Sequence, residues 1–397
     1  MQLSEKCLGI APSLTLEIDA KAKAMRAAGE DVIGFGAGEP DFDTPAFIKA
    51  AAVEALKEGK TKYTPASGTV ALKQAVAEKL LKDNGLSYEP SQIVISNGAK
   101  HSLFNALAAI LNPGDEVIIP SPCWVSYPEL VRINGGVPVF IAAVEEHCFI
   151  PNVEDFERAI TPRTKAIILN SPSNPCGYVL PKSVLRDIAE LAVLKDLFVI
   201  SDEIYEMMVY DGERHISIAS FNPEIKERTI VVNGLSKAYA MTGWRIGYTA
   251  SAPGVAKAMS NLQSHVTSNP NSIAQHAAVA ALNGPRDELF AMVQEFDERR
   301  RLMVERINRI PGLSCGTPKG AFYVMVNISS SLGKRYGDQF ITGSLDFCAA
   351  LLEGEKVAMV PGIAFEADGF CRMSYATSRE NINKGIDRLA DFMSKLK

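Results

Sequence analysis

The sequence has few features of a secreted, membrane-spanning or nucleic-acid-binding protein. Its seven cysteines are dispersed without a Cys-x-x-Cys pair, which disfavours a zinc site or a disulfide framework. No apolar run reaches the length that spans a bilayer, and the N-terminal residues lack the apolar stretch of a signal peptide. The net charge is −5, so the composition does not favour nucleic acid as a partner. We therefore expect a cytoplasmic protein with neither membrane nor nucleic-acid partners.

What is present is the composition of a globular enzyme of 397 residues, 47% hydrophobic and 22% charged, which is long enough for two domains. Short apolar runs alternate with helical patterns, which predicts an α/β fold whose mostly parallel seven-stranded sheet lies between helices. A long charged helix and fewer strands follow, which predicts a second, smaller α+β domain. The seven predicted strands of the large domain are 93–96, 116–120, 137–141, 166–170, 197–201, 229–233 and 246–250.

The most informative stretch is Val-Asn-Gly-Leu-Ser-Lys-Ala-Tyr-Ala-Met-Thr-Gly-Trp-Arg-Ile-Gly-Tyr at residues 232–248. It places Lys237 among apolar and small residues, with Arg245 a short distance further along the chain. A lysine in such surroundings has a lowered pKa and can form a Schiff base as a nucleophile. An arginine beside it can bind a phosphate through its planar guanidinium. The pair indicates an aldehyde cofactor that carries a phosphate, namely pyridoxal phosphate, although an isolated Ser-Lys pair is more often a surface lysine.

Groups suited to this cofactor follow four of the predicted strands, at the carboxyl ends where open α/β sheets bind their ligands. The first strand leads into Gly98-Ala99-Lys100 at the start of a helix, where backbone N–H groups can bind an anion. A plain strand-to-helix turn is the alternative. Another strand is followed by Asp202 and Tyr205. A carboxylate at that position can keep a pyridine nitrogen protonated, whereas the alternative is an aspartate that caps a helix.

Three further side chains suit the same chemistry. Trp124 follows a predicted strand and can stack on a flat ring, although a tryptophan in the core is the plainer alternative. Asn174 lies in a segment rich in proline and glycine. The alternative is a plain turn, because these residue types form turns in any protein. Arg372 lies on a predicted strand and can bind a carboxylate through two parallel hydrogen bonds, unless it makes a surface ion pair. The spacing Gly34-x-Gly-x-Gly38 differs from the dinucleotide-binding fingerprint and excludes that function for this loop.

The run Ser-Lys-Ala-Tyr-Ala-Met-Thr-Gly-Trp-Arg-Ile-Gly resembles the lysine signature of class I aminotransferases, which belong to fold type I of the pyridoxal phosphate enzymes. The resemblance extends over nearly the whole chain. It implies a large domain at 31–284 and a small domain formed by 1–30 together with 285–397. Four residues follow one another in the order typical of the family: Asn174, Asp202, Lys237 and Arg245.

The resemblance also implies a role for each candidate residue. Lys237 would bind the cofactor and transfer a proton, Asp202 would contact the ring nitrogen, and Tyr205 would contact the ring oxygen. Arg372 would bind the substrate α-carboxylate, and Gly38 would belong to a segment that closes over the substrate. The other residues implied to surround the cofactor are Gly98, Ala99, Lys100, Trp124, Asn174, Ser236 and Arg245, of which Trp124 and Asn174 would also contact the substrate.

Tyr63 is similar to a family tyrosine that reaches the cofactor phosphate of the neighbouring subunit. The resemblance therefore implies a homodimer with shared active sites. Cys176 differs from the threonine that is common at its position, which implies a thiol close to the site.

The sequence most resembles the thermophile-type subgroup of aspartate aminotransferases, which act on amino acids and 2-oxo acids as small-molecule partners. In that subgroup a lysine matching Lys100 helps to hold the distal carboxylate, together with hydroxyls that match Ser13 and Thr15. This implies amino transfer between L-aspartate and 2-oxoglutarate, which gives oxaloacetate and L-glutamate. Relatives that aminate prephenate have a lysine where this chain has Ala11, and that difference disfavours prephenate.

Several alternatives remain open. The same fold serves aromatic, alanine and prephenate aminotransferases, and also β-eliminating lyases. The products formed from a single amino acid distinguish transamination from elimination. Ligand-sensing domains of transcription regulators also use this fold, but they follow a DNA-binding module. Here few residues precede the first motif, and they do not resemble a basic helix-turn-helix.

Overall fold

The computed structural model describes residues 3–10 and 14–397. The strands of this part of the chain are β1 (Ile33–Gly34), β2 (Ile93–Asn97), β3 (Glu116–Ser121), β4 (Val137–Ala142), β5 (Thr164–Asn170), β6 (Phe198–Asp202), β7 (Thr229–Gly234), β8 (Ile246–Ala250), β9 (Tyr323–Asn327), β10 (Arg335–Tyr336), β11 (Gln339–Phe340), β12 (Val357–Ala358), β13 (Val360–Pro361) and β14 (Phe370–Ser374).

The helices of the same residues are α1 (Glu5–Leu8), α2 (Leu14–Ala27), α3 (Ala46–Lys57), α4 (Val70–Asn84), α5 (Ala99–Ile110), α6 (Ser126–Ile133), α7 (Val153–Ala159), α8 (Lys182–Leu194), α9 (Pro223–Arg228), α10 (Pro253–Val266), α11 (Ser272–Asn283), α12 (Asp287–Ile307), α13 (Ser344–Glu355) and α14 (Arg379–Lys395).

The large sheet has seven strands in the order β2-β8-β7-β6-β5-β3-β4. Strand β8 is antiparallel to both of its neighbours, and the other pairs are parallel. All seven strands were predicted from the sequence, because each is an apolar run that helices cover on both faces. The prediction of a mostly parallel sheet between helices is therefore confirmed.

Successive side chains of these strands enter two different cores. Ile118 and Ile167 pack on one face of the sheet, whereas Val117 and Ile168 pack on the other. Burying each such side chain stabilises the fold by roughly 1.5–3 kcal/mol. Strands held on both faces have fixed ends, and the polar residues that follow those ends are thereby held in place.

A second, smaller sheet is formed by β13, β14 and β9, all antiparallel. Helices α12, α13 and α14 pack around it, and β1 pairs with β12 beside it. Helix α2 contributes Ala22 to a small cluster with Val32, Leu352 and Ala358. These elements confirm the mixed α/β fold class, while the domain limits at 30/31 and 284/285 stay a prediction.

Within residues 3–10 and 14–397, none of the helices combines the length and the hydropathy needed to cross a membrane.

Close packing between β8 and the start of α5 yields a stability prediction. A Cβ atom at Gly247 would lie 2.3 Å from the Ala99 nitrogen and 2.4 Å from the Gly98 carbonyl carbon. Both neighbours are backbone atoms, so Gly247→Ala must displace the helix start. We expect it to lower the free energy of unfolding by about 1–3 kcal/mol, measured by urea denaturation.

The matched control is Gly254→Ala in the first turn of α10, where the added Cβ would meet no atom within 4 Å. We expect no loss of stability there, because alanine has a higher helix propensity than glycine. Equal denaturation midpoints for the two variants would contradict the packing argument.

Candidate active site

A cavity of about 770 Å³ lies at the carboxyl ends of the central strands, between them and helix α2. It is bounded on the other side by the small sheet. The structure brings most of the predicted site residues together in its wall, namely Gly38, Ala99, Lys100, Trp124, Asn174, Asp202, Tyr205, Ser236, Lys237, Arg245 and Arg372.

The wall of this cavity is strongly basic although the chain as a whole is acidic. Among the described residues, two acidic side chains line it, Glu39 and Asp202, whereas the net charge of the chain is −5. A concave surface with charges of one sign concentrates ligands of the opposite sign. The cavity therefore favours anionic ligands. Its basic side chains are Lys23, Arg26, Lys100, Lys237, Arg245 and Arg372.

Lys237 follows β7 and is half-buried. Its Nζ donates a hydrogen bond to the carbonyl oxygen of Gly38 and lies 5.7 Å from the ring centroid of Tyr205. The pKa of Lys237 is lowered to about 8, chiefly by burial and in part by the cations Arg372 and Arg245, whereas the charges of Glu39 and Asp202 oppose the shift. A substantial fraction of this amine is therefore neutral, and hence nucleophilic, near physiological pH.

Asp202 ends strand β6 and is only 2% exposed. Burial raises the pKa of its carboxyl to about 6, although two hydrogen bonds favour the charged form. Tyr127 donates one of them from its hydroxyl at 2.7 Å, and the Ile204 N–H donates the other at 3.2 Å. Such a carboxylate gains most from a cationic ligand group, since that group offsets the loss of hydration.

Tyr127 is a further residue of the site that is not predicted from the sequence. Its ring packs edge-on against Trp124 with centroids 5.3 Å apart. Trp124 and Tyr127 lie within one helical turn of each other, which is the signal that could have identified the pair.

Arg372 lies on β14 and is 3% exposed. Its Nη1 donates to Asn174 Oδ1 at 2.9 Å, and its Nη2 donates to the Gly36 carbonyl at 3.0 Å. The buried Nε has no hydrogen-bond partner among the described residues. Burial lowers the pKa of this guanidinium. A buried cation paired only with neutral groups is costly, and a carboxylate ligand would offset that cost.

Tyr205 is 4% exposed, and its hydroxyl lies 2.9 Å from the hydroxyl of Tyr323. The ring of Tyr323 also lies under Arg372, with the guanidinium carbon 4.3 Å from the ring centroid. Tyr323 thus joins two predicted site residues. The sequence alone does not single out Tyr323, because its neighbours are apolar.

Gly98 comes directly before α5 and has a φ of 84°. A Cβ atom there would lie 2.4 Å from Nη2 of Arg245, so this guanidinium rests against the helix start. The first N–H groups of a helix and a guanidinium together form a cradle for an anion.

Lys100 lies beside this cradle, and its Nζ is 4.9 Å from the ring centroid of Trp124. Burial lowers the pKa of Lys100, and the charge of Arg245 lowers it further.

Four predicted site residues are not among those that line the cavity, and one of them, Gly98, lies directly before α5 and the lining residue Ala99. Tyr63 is 91% exposed and does not line it. Ser13 and Ala11 lie outside the described residues. For Thr15 only the backbone, in the first turn of α2, is described. The roles predicted for Tyr63, Ser13 and Thr15 stay predictions.

The lowered pKa of Lys237 has a measurable consequence. In protein freed of any bound aldehyde, we expect acetylation of Lys237 by acetic anhydride to be half-maximal near pH 8, because only the neutral amine reacts. An ordinary lysine reaches that point near pH 10.4. Mass spectrometry of the digested protein measures the labelling, with the exposed Lys257 as internal reference. A midpoint for Lys237 in the ordinary range would contradict the proposed effect of burial.

Comparison with known proteins agrees with this geometry. Residues 30–389 match the family described as aminotransferase class I and II. An aspartate aminotransferase of Geobacillus stearothermophilus is 46% identical over 99% of both chains. A probable aspartate/prephenate aminotransferase of Aquifex aeolicus is 48% identical, also over 99% of both. The crystal structure of the aspartate aminotransferase from Rhizobium meliloti covers 100% of both chains, with a TM-score of 0.96 and 46% identity.

The family match covers most of the chain, and the relatives match it along almost their entire length. Their folds also superimpose closely on the fold described above. The chain therefore belongs to the class I and II aminotransferase family.

Proposed function

We propose that this aminotransferase uses pyridoxal phosphate to move an amino group between L-aspartate and 2-oxoglutarate. The observation that carries the proposal is a single cavity that holds a lysine of lowered pKa, a buried carboxylate and a buried guanidinium. These groups are Lys237, Asp202 and Arg372. Similarity to aspartate aminotransferases along the whole chain supports the same conclusion.

The residues present fit pyridoxal phosphate. Lys237 suits its aldehyde, and the carboxylate of Asp202, which lacks a charged partner among the described ion pairs, suits its ring nitrogen. The cradle formed by Gly98, Ala99 and Arg245 suits its phosphate. Glycine at position 98 lets the Arg245 guanidinium lie beside the helix start, because a Cβ atom there would fill the space that Arg245 occupies. When bound, the cofactor supplies an aldehyde and a ring that accepts electrons.

The protein's own groups then have distinct tasks. The Lys237 amine would take the proton from the substrate α-carbon and deliver it to the carbon that carries the cofactor's aldehyde, for which a pKa of about 8 is well matched. Asp202 holds a proton on the ring nitrogen, and the hydroxyl of Tyr127 keeps that carboxylate ionised. Arg372 orients the α-carboxylate, since each of its Nη atoms has a second N–H besides the one bound to Asn174 or Gly36.

Lys100 is the residue we assign to the distal carboxylate of a dicarboxylic substrate. It lines the cavity next to Trp124, and its ammonium has no carboxylate partner among the described ion pairs. We assign supporting roles to the hydroxyls of Ser13 and Thr15. An aspartate/prephenate specificity is the second candidate, favoured by the name of the Aquifex aeolicus relative.

We further propose a homodimer in the cytoplasm. Tyr63 exposes 91% of its surface, which is unusual for an aromatic side chain and suits a residue that reaches the cofactor phosphate of a second copy. All seven cysteines are free thiols, as is typical of a reducing compartment.

The spectrum of the loaded enzyme tests the function. We expect a yellow absorbance band that disappears when aspartate is added and returns with 2-oxoglutarate, because each half-reaction changes the cofactor reversibly. Lys237→Ala should abolish both changes. Pyruvate and ammonia produced from a single amino acid would instead indicate a β-eliminating lyase and contradict the proposal.

The role of Lys100 is tested by comparing two substrates. We expect Lys100→Ala to lower kcat/KM for aspartate by about tenfold to a hundredfold, as expected for one lost hydrogen bond to a charged group. The value for alanine, which has no distal carboxylate, should change little. Steady-state kinetics with 2-oxoglutarate as acceptor measures both. Equal losses for the two amino acids would show that Lys100 does not recognise the distal carboxylate.

A further inference from the structure

The segment Gly34–Gly38 lies along the cavity, and each of its three glycines contacts a different basic side chain. A Cβ atom on Gly34 would lie 2.4 Å from Nη2 of Arg26. The carbonyl oxygen of Gly36 accepts a hydrogen bond from Arg372, and that of Gly38 accepts one from Lys237. The segment thus carries a row of three cations along one wall of the cavity.

Two of these cations have tasks in the proposed reaction, and Arg26 does not. It lies in the last turn of α2, and its Nε donates to the Val32 carbonyl at 2.9 Å. Among residues 3–10 and 14–397, neither Nη1 nor Nη2 of Arg26 donates a hydrogen bond to another residue. Within the same residues, no carboxylate forms an ion pair with this guanidinium. Its fixed Nε and available Nη groups suit the binding of an anion.

Arg26 lines the cavity and is exposed to solvent. Asp202 and Arg372 line the same cavity but are 2% and 3% exposed. An anion in solvent can therefore contact Arg26 directly, whereas the two buried groups are shielded from solvent.

We infer that Arg26 forms an outer carboxylate-binding subsite that captures dicarboxylic substrates before Arg372 binds their α-carboxylate. The inference rests on the proposed function, since it names a residue that selects the dicarboxylates of that reaction. A dianion such as 2-oxoglutarate gains more from this cation than a monoanion does. The effect is moderate, because water and salt screen an exposed charge.

Binding of unreactive acids to the loaded enzyme tests the subsite directly. Isothermal titration calorimetry compares succinate, a dicarboxylate, with butyrate, a monocarboxylate of similar length. We expect Arg26→Gln to weaken succinate binding by about two- to fivefold, within the range of an exposed charge pair, and to leave butyrate binding unchanged. Arg26→Lys should restore most of the affinity. Arg186→Gln, on the exposed face of α8 outside the cavity wall, should have no effect.

Steady-state kinetics give a second test, which distinguishes substrate binding by Arg26 from a purely structural role of this residue. We expect Arg26→Gln to lower kcat/KM for 2-oxoglutarate with kcat unchanged. In the wild type, kcat/KM for 2-oxoglutarate should fall more steeply with salt than in the variant. The two enzymes should converge near 1 M salt, where charges interact over only about 3 Å.

Three results would overturn the inference. The first is an equal affinity of wild type and Arg26→Gln for succinate. The second is a loss of butyrate affinity in Arg26→Gln as large as its loss of succinate affinity. The third is failure of Arg26→Lys to restore the affinity for succinate. Failure of the proposed function is distinguishable, because the wild type would then not exchange amino groups between aspartate and 2-oxoglutarate. The calorimetric comparison would still report on the subsite in that case.

Discussion

Charge buried without an opposite charge is the constraint on which this structure depends. Elsewhere the described residues pair their buried ions, as Arg300 does with Asp211 and Asp297, and as Lys79 does with Glu206. Around the cavity the pattern is reversed, and Arg372 and Asp202 have only neutral hydrogen-bond partners. Leaving such groups unpaired lowers stability, because the protein interior solvates charge poorly. That cost is recovered when a ligand supplies the missing charges, which links stability to binding.

The rest of the fold holds these charges in position. Asp202 ends a strand that is packed on both faces. Arg372 lies on a strand of the small sheet, and its guanidinium lies against the ring of Tyr323. The Gly34–Gly38 segment connects the two regions, because its carbonyl oxygens accept hydrogen bonds from Arg372 and Lys237. Groups held by several elements keep their geometry when a substrate arrives, and this preorganisation makes them effective in catalysis.

Much of this arrangement could be predicted from the sequence, and the reason is physical. Buried parallel strands require unbroken apolar runs, so a polar residue such as Asp202 immediately after a run marks a strand end. Tyr127 and Tyr323 could not be found in this way, because their roles arise from partners that are distant in the chain. Gly36 acts through its carbonyl oxygen, which every residue type has, so its identity gave no indication of that contact. Helix α5 begins at Ala99, as the sequence Gly98-Ala99-Lys100 after a strand indicated.

The nearness of Arg372 to Lys237 makes the site responsive to its own occupancy. The positive charge of Arg372 is one of the causes that lower the pKa of Lys237. A carboxylate bound to Arg372 neutralises this charge, so the proton affinity of the amine rises on binding. The amine is thus most nucleophilic while the cavity is empty and becomes a stronger base once a substrate is in place. Its chemical character is set by the substrate that it acts on.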